Sequence, residues 1–376
     1  LEKKITIFTN EENKGAKFLI NDLKEQKNVK FIFFKSLFIF DRKRSFIEKS
    51  IYYFLKPLML MVAIKRFKKI LSNFKFDLLL AQCGNYGIFR SEQAAILAGN
   101  KLGIPVKSII IHHACIKPPL FMGVVFRVID YFLVKSLTSL ITVSNATKLT
   151  VLNNSNLLDK GSLKNKVIYN GVPRNNFIKK DYLNLQQTNK SSLNLKIGMV
   201  SRLSHDKGHE DLIKAFYTLP LEYKKKMDVY FIGEDERGQK NKLKKLVINL
   251  KLENKINFLD YIDLDSKKII LSLDLFVSAT KKFEGFGLSI AEAMSVGVPV
   301  LASNVGAVKE FFSNDCGKLI NPENIEDIKN SLIDFYDNKK IWDKKAKIAK
   351  NRIEKIFSAE NMGKKYMNYF DSELKK

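Results

Sequence analysis

Short apolar runs alternate with amphipathic stretches along the whole chain. KITIFT, VKFIFF, FDLLLAQ, VKSIII and LITVS read as strands in the first part. KVIYN, KIGMVS, DVYFIG, KINFLD, LDLFVSA and VPVLAS follow in the second. Between them, KGAKFLINDLKEQ, HEDLIKAFYTL and GQKNKLKKLVINLKL carry apolar residues at the three-to-four spacing of one helix face. Strands alternating with helices predict an α/β fold built on doubly wound parallel sheets. The alternation runs twice. One set closes near KVIYNGV (166–172), another opens at LKIGMVS (195–201), and the polar KKDYLNLQQTNKSSLN between them reads as a linker. The expected division is a first domain over 1–170, a second over 171–354, and a last helix at about 355–376 packing back on the first. Two such domains facing each other place their strand C-termini around one cleft, where open sheets bind ligands.

The segment 42–75, RKRSFIEKSIYYFLKPLMLMVAIKRFKKILSNFK, departs from this rhythm: ten basic residues and one acid flank an apolar, aromatic middle. That middle, broken by Lys56 and Pro57, is too short to span a bilayer. Two readings stand. One is a helix lying in a membrane interface, with Lys65, Arg66, Lys68 and Lys69 drawn to anionic headgroups; the other is a buried helix with solvated lysine flanks. The whole chain carries a net charge of +26, and residues 1–170 hold 28 Lys/Arg against 11 Asp/Glu. Two readings again stand: an anionic partner for the first domain (a membrane surface, nucleic acid or a phosphorylated substrate), or lysine enrichment for solubility alone. The three cysteines, Cys83, Cys115 and Cys316, make no metal spacing and read as reduced core thiols of a cytosolic protein. The opening LEKKITIFTN reads as a strand and not as a signal peptide.

Candidate chemistry concentrates in the second domain. In GMVSRLSHDKGHEDLIKAF (198–216) a strand ends at Val200, and the loop after it delivers Arg202 and Lys207 beside a helix start. A guanidinium fork, a lysine charge and free helix N–H groups suit a diphosphate. In FEGFGLSIAEAM (283–294) Gly285 and Gly287 allow close backbone approach and expose the amides of Phe286, Gly287 and Leu288. Glu284 lies in that loop and Glu292 about a turn into the helix. Two carboxylates eight positions apart suit the paired hydroxyls of two sugar rings.

The order R-x4-K-G, E-G-F-G-L-x3-E-A-M and GVPVLASNVGAVKE (297–310) resembles family 4 of the retaining nucleotide-sugar glycosyltransferases. The likeness extends to KGAKFLINDLKEQ (14–26), KVIYNGV and the final FSAENMGKKYMNYF (357–370). The resemblance implies the GT-B fold, two Rossmann-like domains across a cleft, with the acceptor on the first and the nucleotide sugar on the second. It implies that Arg202 and Lys207 bind the donor diphosphate, that Glu292 takes the ribose, and that Glu284 and the amides after it hold the transferred sugar. A loop at Phe258, Leu259 and Asp260 would lie against the base, Asp260 standing where the family commonly has Gly. Gly15 and Ala16 would bring backbone near the phosphate. The family's donor-facing histidine is His112 or His113; His112, directly after the apolar run, is favoured. His205 and His209 read as loop and helix-surface residues.

The implied activity is metal-independent sugar transfer with retention, from a UDP-sugar as co-substrate with no cofactor. The acceptor would be a lipid-linked or surface-polysaccharide glycan (lipopolysaccharide, O-antigen or capsule type) at the cytoplasmic membrane face of a bacterium. Asp263-Leu264-Asp265 spells a metal-type Asp-x-Asp, yet Asp265 is better read as a helix N-cap. The alternatives are a basic nucleic-acid-binding protein and another GT-B enzyme such as an epimerase or a phosphorylase.

Overall fold

The computed structural model describes residues 4–11, 13–23, 25–35, 46–87, 90–117, 123–158, 163–174, 194–260 and 266–376, with backbone alone for 14–18 and 46–53. Residues 42–45, the linker stretch up to 193 and Asp263–Asp265 lie outside these.

The first half begins with β1 (Ile5–Asn10), α1 (Lys14–Leu23) and β2 (Val29–Phe34), the two strands pairing in parallel. A long helix, α2 (Phe46–Leu71), precedes β3 (Leu78–Cys83), α3 (Ser91–Lys101) and β4 (Val106–Ile111). Then come α4 (Gly123–Ser136), β5 (Ser139–Thr142), α5 (Asn145–Asn154) and β6 (Lys164–Val167). Strands β3, β4, β5 and β6 form a parallel sheet in that order. All six residues of β4 are buried, because it is an inner strand and helices cover its faces.

The second half is a parallel six-stranded sheet. It contains β7 (Leu195–Val200), β8 (Met227–Ile232), β9 (Ile256–Leu259), β10 (Leu275–Ser278), β11 (Val300–Ser303) and β12 (Lys318–Ile320), ordered β12-β11-β10-β7-β8-β9. The chain winds from β7 outward to β9, then returns to the other side of β7 with β10. The crevice between β7 and β10 is therefore the topological switch point. Helices α6 (His209–Tyr217), α7 (Leu221–Lys226), α8 (Gln239–Asn249) and α9 (Ser266–Leu271) belong to the first winding. Those of the second are α10 (Leu288–Ser295), α11 (Val308–Phe311), α12 (Ile325–Asp337) and α13 (Lys339–Ile356).

Each half has its own apolar core, and a third cluster joins them: Val106, Ile110 and Ile141 of one sheet share it with Phe286, Phe311 and Phe357. The last helix, α14 (Ala359–Leu374), crosses to the first half, where Phe370 enters the shared cluster and Glu373 pairs with Lys164 at 3.5 Å. The two crossing segments run side by side, Val172 N–H donating to Phe357 O (2.8 Å) and Ala359 N–H to Val172 O (3.0 Å).

A polar clamp completes the junction. The Glu310 carboxylate of the second half accepts from the N–H groups of Asn145 (2.9 Å) and Ala146 (2.7 Å), the Asn145 amide (3.1 Å) and the Tyr169 hydroxyl (2.8 Å). It thus neutralises the amide end of α5, the electropositive end of a helix. Replacing Glu310 with Ala should cost roughly 1–3 kcal/mol of stability, with Glu310→Gln intermediate, because charge-assisted bonds exceed neutral ones. Urea melts of the three proteins measure this; equal stability of all three would remove the clamp from the account.

Candidate functional site

Strands β7 and β10 end side by side, and the loops leaving them converge. The loop after β7 carries Ser201 to Ser204, a 3-10 turn at His205–Lys207 and Gly208, which caps α6 at φ +77°. A Cβ at Gly208 would overlap the carbonyl oxygen of Ala279 at the end of β10, so the loops touch only because position 208 is glycine. The Lys281 N–H donates to Asp206 O (2.8 Å), and its ammonium pairs with buried Asp211 of α6 at 3.1 Å.

The Lys207 ammonium, largely buried, meets Glu284 Oε1 at 2.5 Å, and the Thr280 hydroxyl donates to the same oxygen at 2.8 Å. These three, with Ser201, Ser278 and Ser289, line a small cavity over the sheet edge. Arg202 stands apart from the pair: its guanidinium reaches Glu236, in the loop after β8, at 2.7 Å and is more than half exposed. Its charge is still felt at Asp206, held below the usual carboxylate range by hydrogen bonds and by Lys207 and Arg202, against the opposing effect of burial. Glu292 accepts from Ser266 Oγ (2.9 Å) at the start of α9.

Gly287, at φ +94°, caps α10, whose first amides have no partner within the helix, and Ser289 of that first turn lines the cavity. Leu288 is exposed, whereas the Phe286 ring is core, stacked on Phe311 at 4.7 Å. Gly285 serves the domain junction: a Cβ there would overlap the His112 carbonyl oxygen, and its own carbonyl accepts from Ser144 Oγ at 2.6 Å.

The first half presents His112 and His113 to this loop. His112 is still tied to the sheet, its N–H donating to Cys83 O (2.9 Å), and within the described residues its buried Nε2 has no hydrogen-bond partner. His113 is the first residue released: its Nδ1 lies 3.0 Å from Asn85 Oδ1 and its ring meets Phe283 edge-on at 5.1 Å. Burial lowers the pKa of both rings, and His113 also feels Glu284, Lys207, Asp206 and Arg202.

Other expected residues fall elsewhere. Phe258 and Leu259 are not a loop but the end of β9, and alternation sends Leu259 into the shared cluster and Phe258 against Phe231. Asp260 is exposed and paired with Lys240 at 2.6 Å. Gly15 and Ala16 lie in the first turn of α1, not in a loop before it. His209 is not on a helix surface: it is 1% exposed, packed on Phe231, with Nε2 3.3 Å from Ser201 Oγ. Lys65, Arg66, Lys68 and Lys69 are exposed on α2. Thr280, Asn85, Ser144 and Glu310 were not foreseen; Thr280 alone had a signal, as the polar residue just beyond a strand end. Among the described residues, no cluster of three or more His, Cys, Asp or Glu is arranged to hold a metal ion.

Residues 183–355 match the family described as "Glycosyl transferases group 1". The O-antigen biosynthesis glycosyltransferase WclY of Escherichia coli is 28% identical over 224 residues, 56% of each chain. An uncharacterized glycosyltransferase, MJ1069 of Methanocaldococcus jannaschii, is 30% identical over 179 residues, 47% of this chain and 45% of the relative. The chain spans about half the length of these curated relatives. Anabaena Alr3699/HepE in complex with UDP superposes with a TM-score of 0.69 at 21% identity, covering 98% of this chain and 100% of that one. A glycosyltransferase from Rickettsia africae ESF-5 gives 0.70 at 18%, covering 100% and 99%. The fold is that of the GT-B glycosyltransferases.

Burial holds the His209 pKa at about 4, against an ordinary value of 6.5. As pH falls through 6.5 the unfolded chain takes up that proton and the native one does not, so stability should be lost between 6.5 and 4, by about 3 kcal/mol in full. Denaturant melts at pH 7 and 4.5 should show the loss, and His209→Gln should shrink it. A pH difference unchanged in the variant would mean other groups carry it.

Proposed function

We propose that this protein is a retaining, metal-independent glycosyltransferase that moves a sugar from a UDP-sugar to a lipid-linked or surface-polysaccharide acceptor at the cytoplasmic membrane face. The observation that carries the donor part is the Lys207–Glu284–Thr280 cluster at the switch point, with the α10 amide end beside it. UDP in the Anabaena neighbour supports uracil as the base, and the O-antigen relative supports a surface-polysaccharide acceptor.

In this reading the diphosphate takes Lys207 from Glu284, frees the carboxylate for the sugar hydroxyls and draws Arg202 in from Glu236. The bond between the anomeric carbon and the phosphate oxygen breaks, and the acceptor oxygen bonds that carbon from the same face. The acceptor's proton passes to the departing phosphate oxygen. Lys207, Arg202 and the α10 amides stabilise the charge that gathers there, where fixed donors act most strongly. Glu292 takes the ribose hydroxyls. Neither glutamate bonds the sugar covalently.

The membrane part rests on two helix faces. Leu60, Ala63, Phe67 and Leu71 bury one stripe of α2, while its other face exposes Phe54 (85%), Leu58 and Met61 and then the four basic residues named above. Lys56 belongs to the buried side at 1% exposure, and burial together with Arg90 lowers its pKa to about 8. Helix α4 repeats the design: Val124, Val128, Tyr131 and Phe132 are exposed beside Arg127 and Lys135. Apolar bodies rimmed by cations suit an anionic lipid surface better than a duplex. No helix among the described residues is long and apolar enough to cross a membrane.

UDP should raise the melting temperature with or without EDTA, and GDP, ADP or CMP should do so less. Lys207→Ala and Arg202→Ala should each lower donor turnover by about a hundredfold or more while keeping the fold; near-normal turnover in both sinks the site. Changing Lys65, Arg66, Lys68 and Lys69 to Gln should weaken binding to anionic vesicles at least about tenfold, at roughly 1 kcal/mol per charge. Donor hydrolysis should stay unchanged. Unaltered vesicle binding, or tighter binding to DNA than to vesicles, would remove the membrane part.

A further inference from the structure

We propose that Asn85 is a positioning residue for His113: its side-chain oxygen accepts the Nδ1 proton, leaving Nε2 as a hydrogen-bond acceptor facing the donor site. The proposal rests on the transferase reading above.

Asn85 lies in the turn after β3, and that turn is tied to the segment after β4 at several points. The Cys83 thiol donates to Asn85 O (3.0 Å), His112 N–H to Cys83 O (2.9 Å) and Ile116 N–H to Tyr86 O (2.7 Å). The carboxamide is therefore delivered from a braced backbone, with Oδ1 3.0 Å from His113 Nδ1. Phe283 closes on the ring edge-on, so the imidazole is held between the two halves.

The charged groups that act on the ring are Glu284 and Asp206, which favour its cation, and Lys207 and Arg202, which oppose it. Two acids stand against two bases, and burial decides for the neutral form. A neutral imidazole still has two tautomers, and the bond made by one nitrogen sets the role of the other. With Asn85 accepting at Nδ1, Nε2 offers a lone pair to a sugar hydroxyl. A neutral acceptor there adds no positive charge beside an anomeric carbon that becomes electron-poor as its phosphate leaves. The opposite arrangement, with Asn85 donating, would present an Nε2–H donor.

The test is long-range 1H–15N NMR on protein labelled at its four histidines, with His113→Gln assigning the signal. The Nδ1–H tautomer is expected; an Nε2–H tautomer overturns the proposal. Asn85→Leu should lose the tautomer preference and lower kcat about tenfold or more, with the donor KM changed less than about threefold. Asn85→Asp should keep the tautomer, since a carboxylate still accepts, but should raise the His113 pKa and move the acid limb of the pH–rate profile upward by about one unit. Turnover within twofold of wild type in Asn85→Leu with the tautomer unchanged, or an acid limb that stays put in Asn85→Asp, overturns it. The NMR reading needs no turnover, so a protein that transfers no sugar yet shows the Nδ1–H form sinks the transferase reading and leaves the Asn85–His113 bond standing.

Discussion

The structure turns on one peptide segment, Glu284–Phe286, held from both halves at once. The Glu284 carbonyl accepts from Ala307 N–H at 2.9 Å, and Gly306 packs against it with no room for a side chain. Gly285 fits under the His112 carbonyl only because it lacks a Cβ, and its own oxygen takes the Ser144 hydroxyl, with the Thr147 hydroxyl farther off at 3.4 Å. Phe286 then enters the shared cluster against Phe311. With backbone fixed on three sides, the Glu284 carboxylate is aimed by packing.

Charge at the switch point is balanced before any ligand arrives. Lys207 meets Glu284, Arg202 meets Glu236 and Lys281 meets Asp211. Buried pairs like the last add little net stability, because desolvation offsets most of the attraction, but breaking one leaves an unpaired charge. Their effect here is on register: Lys281 reaches Asp211 only if the loop after β10 lies on the first turn of α6. On the proposed reading, an incoming diphosphate would exchange partners with lysine and arginine instead of meeting bare cations. That makes selectivity a difference between two sets of bonds, not a matter of net charge, although the chain as a whole carries +26.

Much of this was legible in the sequence, and the failures have physical causes. The β–α alternation implied parallel sheets, and glycines bracketing an aromatic marked the loop that matters. His209 was misread because a polar letter beside Lys207 looks solvated. Yet Leu212, Ile213 and Phe216 stand three, four and seven residues on, so periodicity places it on the buried face. Phe258 and Leu259 were drawn to a loop by resemblance, against their own apolar alternation. That His112 is still tied to the sheet and His113 is not comes down to one hydrogen bond to Cys83, which spacing does not show. Glu310 gave no signal, since its partners at 145 and 146 lie 165 and 164 residues away. Helix α4 hid its exposed face because GVVFRVIDYFLVKS is apolar nearly all round.

The placement of Glu310 also links the junction to the site. It stands one short turn beyond Gly306 and Ala307, the residues that brace Glu284. Parting the halves would break the bonds of Glu310 to α5 and of Ser144 to Gly285, and would lift His112 from the loop. The groups at Asn145 are exposed, so water can replace part of what Glu310 loses there, whereas the Ser144–Gly285 bond is buried; each bond is worth about 1 kcal/mol net. The apolar cluster near the crossing segments is different, for water offers Phe357 and Phe370 nothing in exchange. The halves are thus held by an apolar cluster that runs from the crossing segments to Phe286 in the Glu284 loop, with polar bonds beside it.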